Sequence, residues 1–199
     1  LPGLAGYLRQ EGLLEDTPSA VVDSGWVGSM QKTLGEALVL LGRTRKLEGY
    51  YWGLYELPPG MDPADYHPFY FSPEQGLREK VFFNNCLFEA VFTAPHGMTM
   101  GYRQDGTAYM PLYGPADAET AAFVRRIEPV LLAYVRHLGE NSGKADTQKD
   151  RTAIYRLFRL FMANPTRPEA EAFGSLPFSD DVLAGGEGRL AAPLSEQEL

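Results

Sequence analysis

Residues 20–55 constrain this chain more than any other stretch. Ala20-Val21-Val22 is a short apolar run closed by Asp23, and the glycine-bearing loop Ser24-Gly25-Trp26-Val27-Gly28-Ser29 follows it. Met30, Leu34, Leu38 and Leu41 then recur at helical spacing, with Gly42 placed to end the helix. Residues 47–55 read as a buried, aromatic-rich strand around Gly49-Tyr50-Tyr51-Trp52-Gly53. Two strands joined by a helix form a βαβ unit, which predicts a parallel pair with a right-handed crossover. Pro58, Pro59, Pro63 and Pro68 predict a long loop after it.

Downstream, Ser72-Pro73-Glu74-Gln75 has the pattern of a capping box with proline at the first helical position. It predicts a helix to about Phe92 that buries Leu77, Val81, Phe88 and Val91 or Phe92. Asp105-Gly106 is a hairpin signal between residues 98–102 and 107–112. Phe123, Val124, Ile127, Leu131, Tyr134, Val135 and Leu138 share one helical face, which Pro129 should bend. Ile154, Leu157, Phe158 and Phe161 mark another helix, and Thr166-Arg167-Pro168-Glu169 caps a short one ending at Gly174. The expected fold is α/β: a small Rossmann-like βαβ sheet with an added β-hairpin, followed by a helical C-terminal third. Residues 1–115 would be the ligand-binding core, 116–180 a helical part of the same domain, and 181–199 an irregular tail.

Composition narrows the class. With 18 basic and 26 acidic residues in 199 the net charge is -8, which argues against phosphate-driven nucleic-acid binding. The single cysteine, Cys86, cannot form an internal bridge, so a reducing compartment is expected. No apolar run reaches the roughly 20 residues of a membrane span and the N-terminus lacks a signal-peptide pattern. A cytoplasmic location is expected. The chain opens on Leu1-Pro2-Gly3 rather than methionine, so an excised piece of something longer is expected.

The loop at 23–29 carries the most chemical information. It joins the carboxyl end of a strand to a helix N-terminus, where free N–H groups and the helix dipole favour anions. Gly25 and Gly28 allow close backbone approach, and Ser24, Ser29, Gln31 and Lys32 could donate to phosphate or hydroxyl oxygens. Asp23 could accept from a sugar or bind a metal. The plainer alternative is that the glycines shape a tight turn and Ser29 caps the helix. Trp26 in such a loop either plugs the core or stacks on a ligand. Tyr50, Tyr51, Trp52 and Tyr55 are either core or a stacking platform for a ring.

Elsewhere, Asn85 and Glu89 share a helix face among apolar residues, where a buried carboxylate could act as general acid or base. A solvated surface pair is the alternative. His96, between Pro95 and Gly97, is a candidate phosphate ligand or proton shuttle, against the alternative of a solvated side chain. No His, Cys or Asp residues show metal-ligand spacing, and Cys86 reads as a core thiol.

Three blocks together resemble a known family. They are Val21-Val22-Asp23-Ser24-Gly25-Trp26-Val27-Gly28-Ser29-Met30-Gln31 followed by Gly49-Tyr50-Tyr51; Phe88-Glu89-Ala90-Val91-Phe92-Thr93-Ala94-Pro95-His96-Gly97 with Gly101-Tyr102; and Asn164-Pro165-Thr166 with Glu169 and Gly174. Residues 18–180 resemble the C-terminal region of bacterial haloacid-dehalogenase-superfamily hydrolase-like proteins, which accompany or fuse with glycosyltransferases in capsule and O-antigen assembly. The phosphatase chemistry of that superfamily needs Asp-x-Asp, whereas Asp23 is followed by Ser24-Gly25. The segment would therefore lie outside the phosphatase core.

The resemblance implies a domain that handles a sugar phosphate or nucleotide sugar in surface-polysaccharide synthesis, transferase-like if it is an enzyme. An anionic ligand would sit at the 23–29 loop. Glu89, His96 and Asp23 would be its catalytic candidates, and Ser24, Gly25, Trp26, Gly28, Ser29, Gln31, Lys32, Asn85 and Tyr102 its binding candidates. A non-catalytic module that docks other domains of a longer chain or a glycosyltransferase is the second expectation. A sugar-phosphate phosphatase is the third. No cofactor is named by the sequence.

Overall fold

The computed structural model describes residues 2–141, 147–178 and 188–191. It is a mixed α/β fold with a three-stranded parallel sheet, a two-stranded antiparallel hairpin and a helical C-terminal portion. The chain divides into two compact units, Leu1–Val81 with Thr99–Leu112, and Phe82–Met98 with Tyr113–Leu199.

In the first unit, α1 (Pro2–Gln10) is followed by β1 (Ala20–Asp23), α2 (Ser29–Leu40) and β2 (Glu48–Gly53). β1 and β2 pair in parallel, Ala20 opposite Glu48 through Asp23 opposite Tyr51, as the βαβ pattern predicts. Gly42 ends α2 in the left-handed region (φ 96°). Leu8, Leu38 and Leu47 form the buried centre where α1 and α2 meet the sheet, with Leu34 and Val21 packed around them.

The proline-rich stretch departs from the expected loop. After a 3-10 turn at Pro63–Asp65, β3 (Tyr66–Phe71) runs parallel to β2. Pro68 stands opposite Tyr51 in an edge strand, where a missing N–H removes no second ladder. The run of Tyr66, Phe69, Tyr70 and Phe71 was the available strand signal. β4 (Thr99–Asp105) and β5 (Ala108–Tyr113) form the expected hairpin, with Gly106 at φ 61° in the turn.

Helix α1 has no counterpart in the sequence expectations. It seats on the hairpin through Gly6, whose missing side chain leaves room for the Tyr109 ring, and through Tyr7, stacked on Tyr102 at 4.6 Å. The Gln10 amide imitates a strand: its Nε2 donates to Tyr109 O at 3.1 Å and its Oε1 accepts from Tyr109 N at 2.7 Å. Arg43 ties down the segment between α1 and β1. Only 3% exposed, it donates to the carbonyls of Leu13, Glu15, Thr17 and Arg45 and to Ser19 Oγ, at 2.6–3.0 Å.

The helix expected over 72–92 is two short ones, α3 (Leu77–Val81) and α4 (Asn85–Val91). Ser72 Oγ accepts from Gln75 N at 3.1 Å to close a turn, and Gly76 at φ 79° redirects the chain before α3 starts. A second start is set by Asn84, whose side chain accepts from Leu87 N at 2.9 Å. Phe88 is buried as expected, but Leu77 is 77% exposed, Val81 69% and Phe92 58%.

The second unit holds α4, α5 (Ala118–Asn141), α6 (Thr147–Ala163) and α7 (Arg167–Gly174). Its core is aromatic, with Phe83, Phe88 and Phe158 in mutual contact and Phe173 set edge-on to both Phe123 and Phe161. The predicted capping box of α7 is present, Glu169 accepting from both Thr166 N (2.7 Å) and Thr166 Oγ1 (2.6 Å). The apolar stripe of α5 is fully buried only near its start, at Val124 beside Ala121; Tyr134, Val135 and Leu138 are exposed. Most of the tail at 181–199 lies outside the described residues, but 188–191 pair antiparallel with 174–178. Among the described residues no helix is long and apolar enough to cross a membrane.

Candidate functional site

The 23–29 loop leaves the carboxyl edge of the parallel sheet and opens α2. It continues alongside β2, with Gly53 N donating to Ser24 O at 3.2 Å and Tyr55 N to Trp26 O at 2.8 Å. Gly25 is demanded twice over, by φ 144° and by Gly53 O, which occupies the space a Cβ would need. Asp23 Oδ1 faces its own loop, accepting from Ser24 Oγ at 3.3 Å and Gly25 N at 3.4 Å. The N-cap of α2 is Gly28 (φ 71°), not Ser29, and no side chain caps the helix. Among the described residues the N–H groups of the first turn have no side-chain acceptor, and Ser29 is exposed beside them.

Beneath this turn lies a buried tyrosine pair. Tyr51 and Tyr66 stack at 5.8 Å, and the Tyr66 ring sits under Gly28, where a Cβ would meet it at 2.6 Å. Tyr51 donates to Gln31 Oε1 at 2.6 Å, and Gln31 Nε2 donates to the carbonyls of Leu47 (2.8 Å) and Asp65 (3.0 Å). Gln31 is 4% exposed, so it braces α2 to β2 and to the start of β3 from inside. The Tyr66 hydroxyl is buried with no hydrogen-bond partner among the described residues. Burial pushes both phenols up, Tyr51 strongly, with the charges of Tyr66 and Asp23 adding to it.

Trp26 is half-buried and packs on protein rings, Tyr55 at 6.1 Å and Phe71 at 6.2 Å. The possible stacking platform is split: Tyr51 faces inward at 3% exposure, while Tyr50 is 48% exposed and stacks on His67 at 4.7 Å. Tyr102 serves the contact with α1, and Lys32 lies along α2 rather than in the loop.

Asn85, Glu89 and His96 belong to the second unit. Glu89 is half-buried and lines a pocket of about 240 Å3 with Thr93, Thr120 and Phe178. His96 is exposed, stacked on Tyr113 at 3.8 Å, with Nδ1 2.9 Å from Gly97 O. A carbonyl oxygen only accepts, so Nδ1 carries the proton and Nε2 is the basic nitrogen. Cys86 is half-buried in α4. Arg43 and the Gln31–Tyr51 brace were missed by sequence reasoning, because a buried guanidinium or amide has no local signature.

These features define an α/β chain whose first unit presents an uncapped helix at the carboxyl edge of a parallel sheet. No protein-family model matches the chain, and no curated protein matches its sequence.

Proposed function

We propose that the chain is a sugar-phosphate- or nucleotide-sugar-handling domain of bacterial surface-polysaccharide assembly, with the anionic group held at the 23–29 loop. The observation that carries this reading is the uncapped first turn of α2, opened by Gly28 at the carboxyl edge of the sheet. Backbone N–H groups and the positive end of the helix dipole favour a phosphate there. Ser24 and Ser29 add hydroxyls, and the motif resemblance supplies the sugar context.

Calorimetry against sugar phosphates and nucleotide sugars tests the reading. Binding by the wild type that weakens in Ser29→Ala is expected. Absence of binding across the panel would overturn it.

A second reading, a docking module without catalysis, has its own support. Val130, Tyr134, Val135 and Leu138 of α5 are 44–65% exposed, and contiguous apolar surface of this kind marks interaction sites. Full function after Glu89→Gln, with loss after Val135→Asp, would favour it.

A further inference from the structure

A second concave surface lies in the first unit, along α2. It is a cavity of about 650 Å3, within the size range of small-molecule sites, and no residue of 23–29 lines it. Leu38, Leu47 and Tyr66 form its buried floor, and Val39 and Met61 flank it.

Gly35 is its least expected lining residue. It stands mid-helix, where glycine weakens a helix relative to alanine. Its backbone is ordinary, with no positive φ, and a Cβ built on it would meet nothing within 4 Å. By contrast, Gly25, Gly28 and Gly49 each have a neighbouring atom that excludes a side chain. The space above Gly35 belongs to the cavity.

The charges around the cavity are unequally matched. Lys46 is held by Asp62 at 3.0 Å and Asp65 at 2.8 Å, so those carboxylates are already paired. The side chains of Lys32 and Arg45 have no hydrogen bond or ion pair among the described residues, and Glu36 is the one unmatched acid of the lining. Lys32 also sits in the first turn of α2, where the helix dipole adds to its positive field.

We propose that this cavity binds an amphipathic anion. Its apolar body lies on Leu38, Leu47 and Met61 across the bare backbone of Gly35, and its carboxylate or phosphate head pairs with Lys32. This site is separate from the 23–29 loop and does not depend on what that loop binds.

The test uses decanoate, with decanol as its uncharged counterpart, and reads the 13C-methyl resonance of Met61, assigned through Met61→Leu. Saturable movement of that resonance with decanoate is expected, lost in Gly35→Phe, whose ring fills the cavity and whose fold is checked by circular dichroism. Lys32→Gln should weaken decanoate by at least about tenfold, the scale of one charge-assisted contact, and leave decanol within about twofold. Ser29→Ala should change neither. A Met61 methyl that decanoate does not move, or undiminished binding by folded Gly35→Phe, overturns the site. Equal binding of decanol and decanoate, unaltered by Lys32→Gln, overturns the anionic assignment.

Discussion

The two units are held together by different chemistry. In the first, polar side chains do structural work inside the protein: Arg43 gathers four carbonyls and a hydroxyl, and Gln31 joins α2 to two strands. In the second, Phe83, Phe88, Phe123, Phe158, Phe161 and Phe173 supply the contacts. A buried polar brace fixes one geometry because each donor must keep its acceptor, whereas apolar packing is less directional. The polar-braced unit also carries the uncapped turn and the cavity along α2.

Both tryptophans, Trp26 and Trp52, lie in the first unit, so indole fluorescence reports that unit while far-UV circular dichroism weights the helices of the second. The largest expected effect is from Phe88→Ala, which should lower stability by about 4 kcal/mol through the cavity left in the aromatic core, seen as an earlier urea transition by dichroism. Arg43→Met comes next: with its acceptors stranded, the fluorescence transition should move by about 3 kcal/mol. Equal displacement of both signals by both variants would show that the units unfold as one and that the contrast has no energetic meaning. Thr166→Ala, which breaks the α7 capping box, should cost about 1 kcal/mol and appear by dichroism.

The smallest effect is on pH dependence. Asp16 is held below the usual carboxylate range by the Thr44 hydroxyl and the Arg45 N–H, and Glu169 by the Thr166 hydroxyl and N–H. The unfolded chain binds protons at these groups more readily than the folded one, so their contribution is present above about pH 4 and is lost as pH falls through the lowered folded values. Asp16→Asn should flatten the acid limb of the fluorescence signal, and Glu169→Gln that of the dichroism signal. Unchanged limbs would show that neither carboxylate matters to acid stability.

Comparing α2 with α5 shows how far the sequence could be read. Both have an apolar stripe at helical spacing and both are helices. Leu34 and Leu38 of the α2 stripe pack with Leu8 and Leu47 while its ends, Met30 and Leu41, are exposed; the stripe of α5 emerges from the core after Val124. Periodicity records which residues share a face, but not whether another element covers it. Of the loop, the sequence showed its position and its glycines, because β1 and α2 are signalled by local spacing. It did not show that Gly28 rather than Ser29 is the N-cap, or that Gln31 turns inward.

By itself, the sequence determined the βαβ order, the parallel pairing, the β4–β5 hairpin and the capping box of α7. Each depends on residues close together in the chain, through backbone sterics, turn geometry or side-chain-to-backbone bonds within a few positions. Only the tertiary structure decided that Pro68 sits in a strand, that Arg43 and Gln31 are interior braces, and that Gly35 faces a cavity. Those outcomes depend on partners 16 to 34 residues away, such as Leu47 and Asp65 for Gln31 and Leu13 for Arg43, which spacing along the chain does not encode.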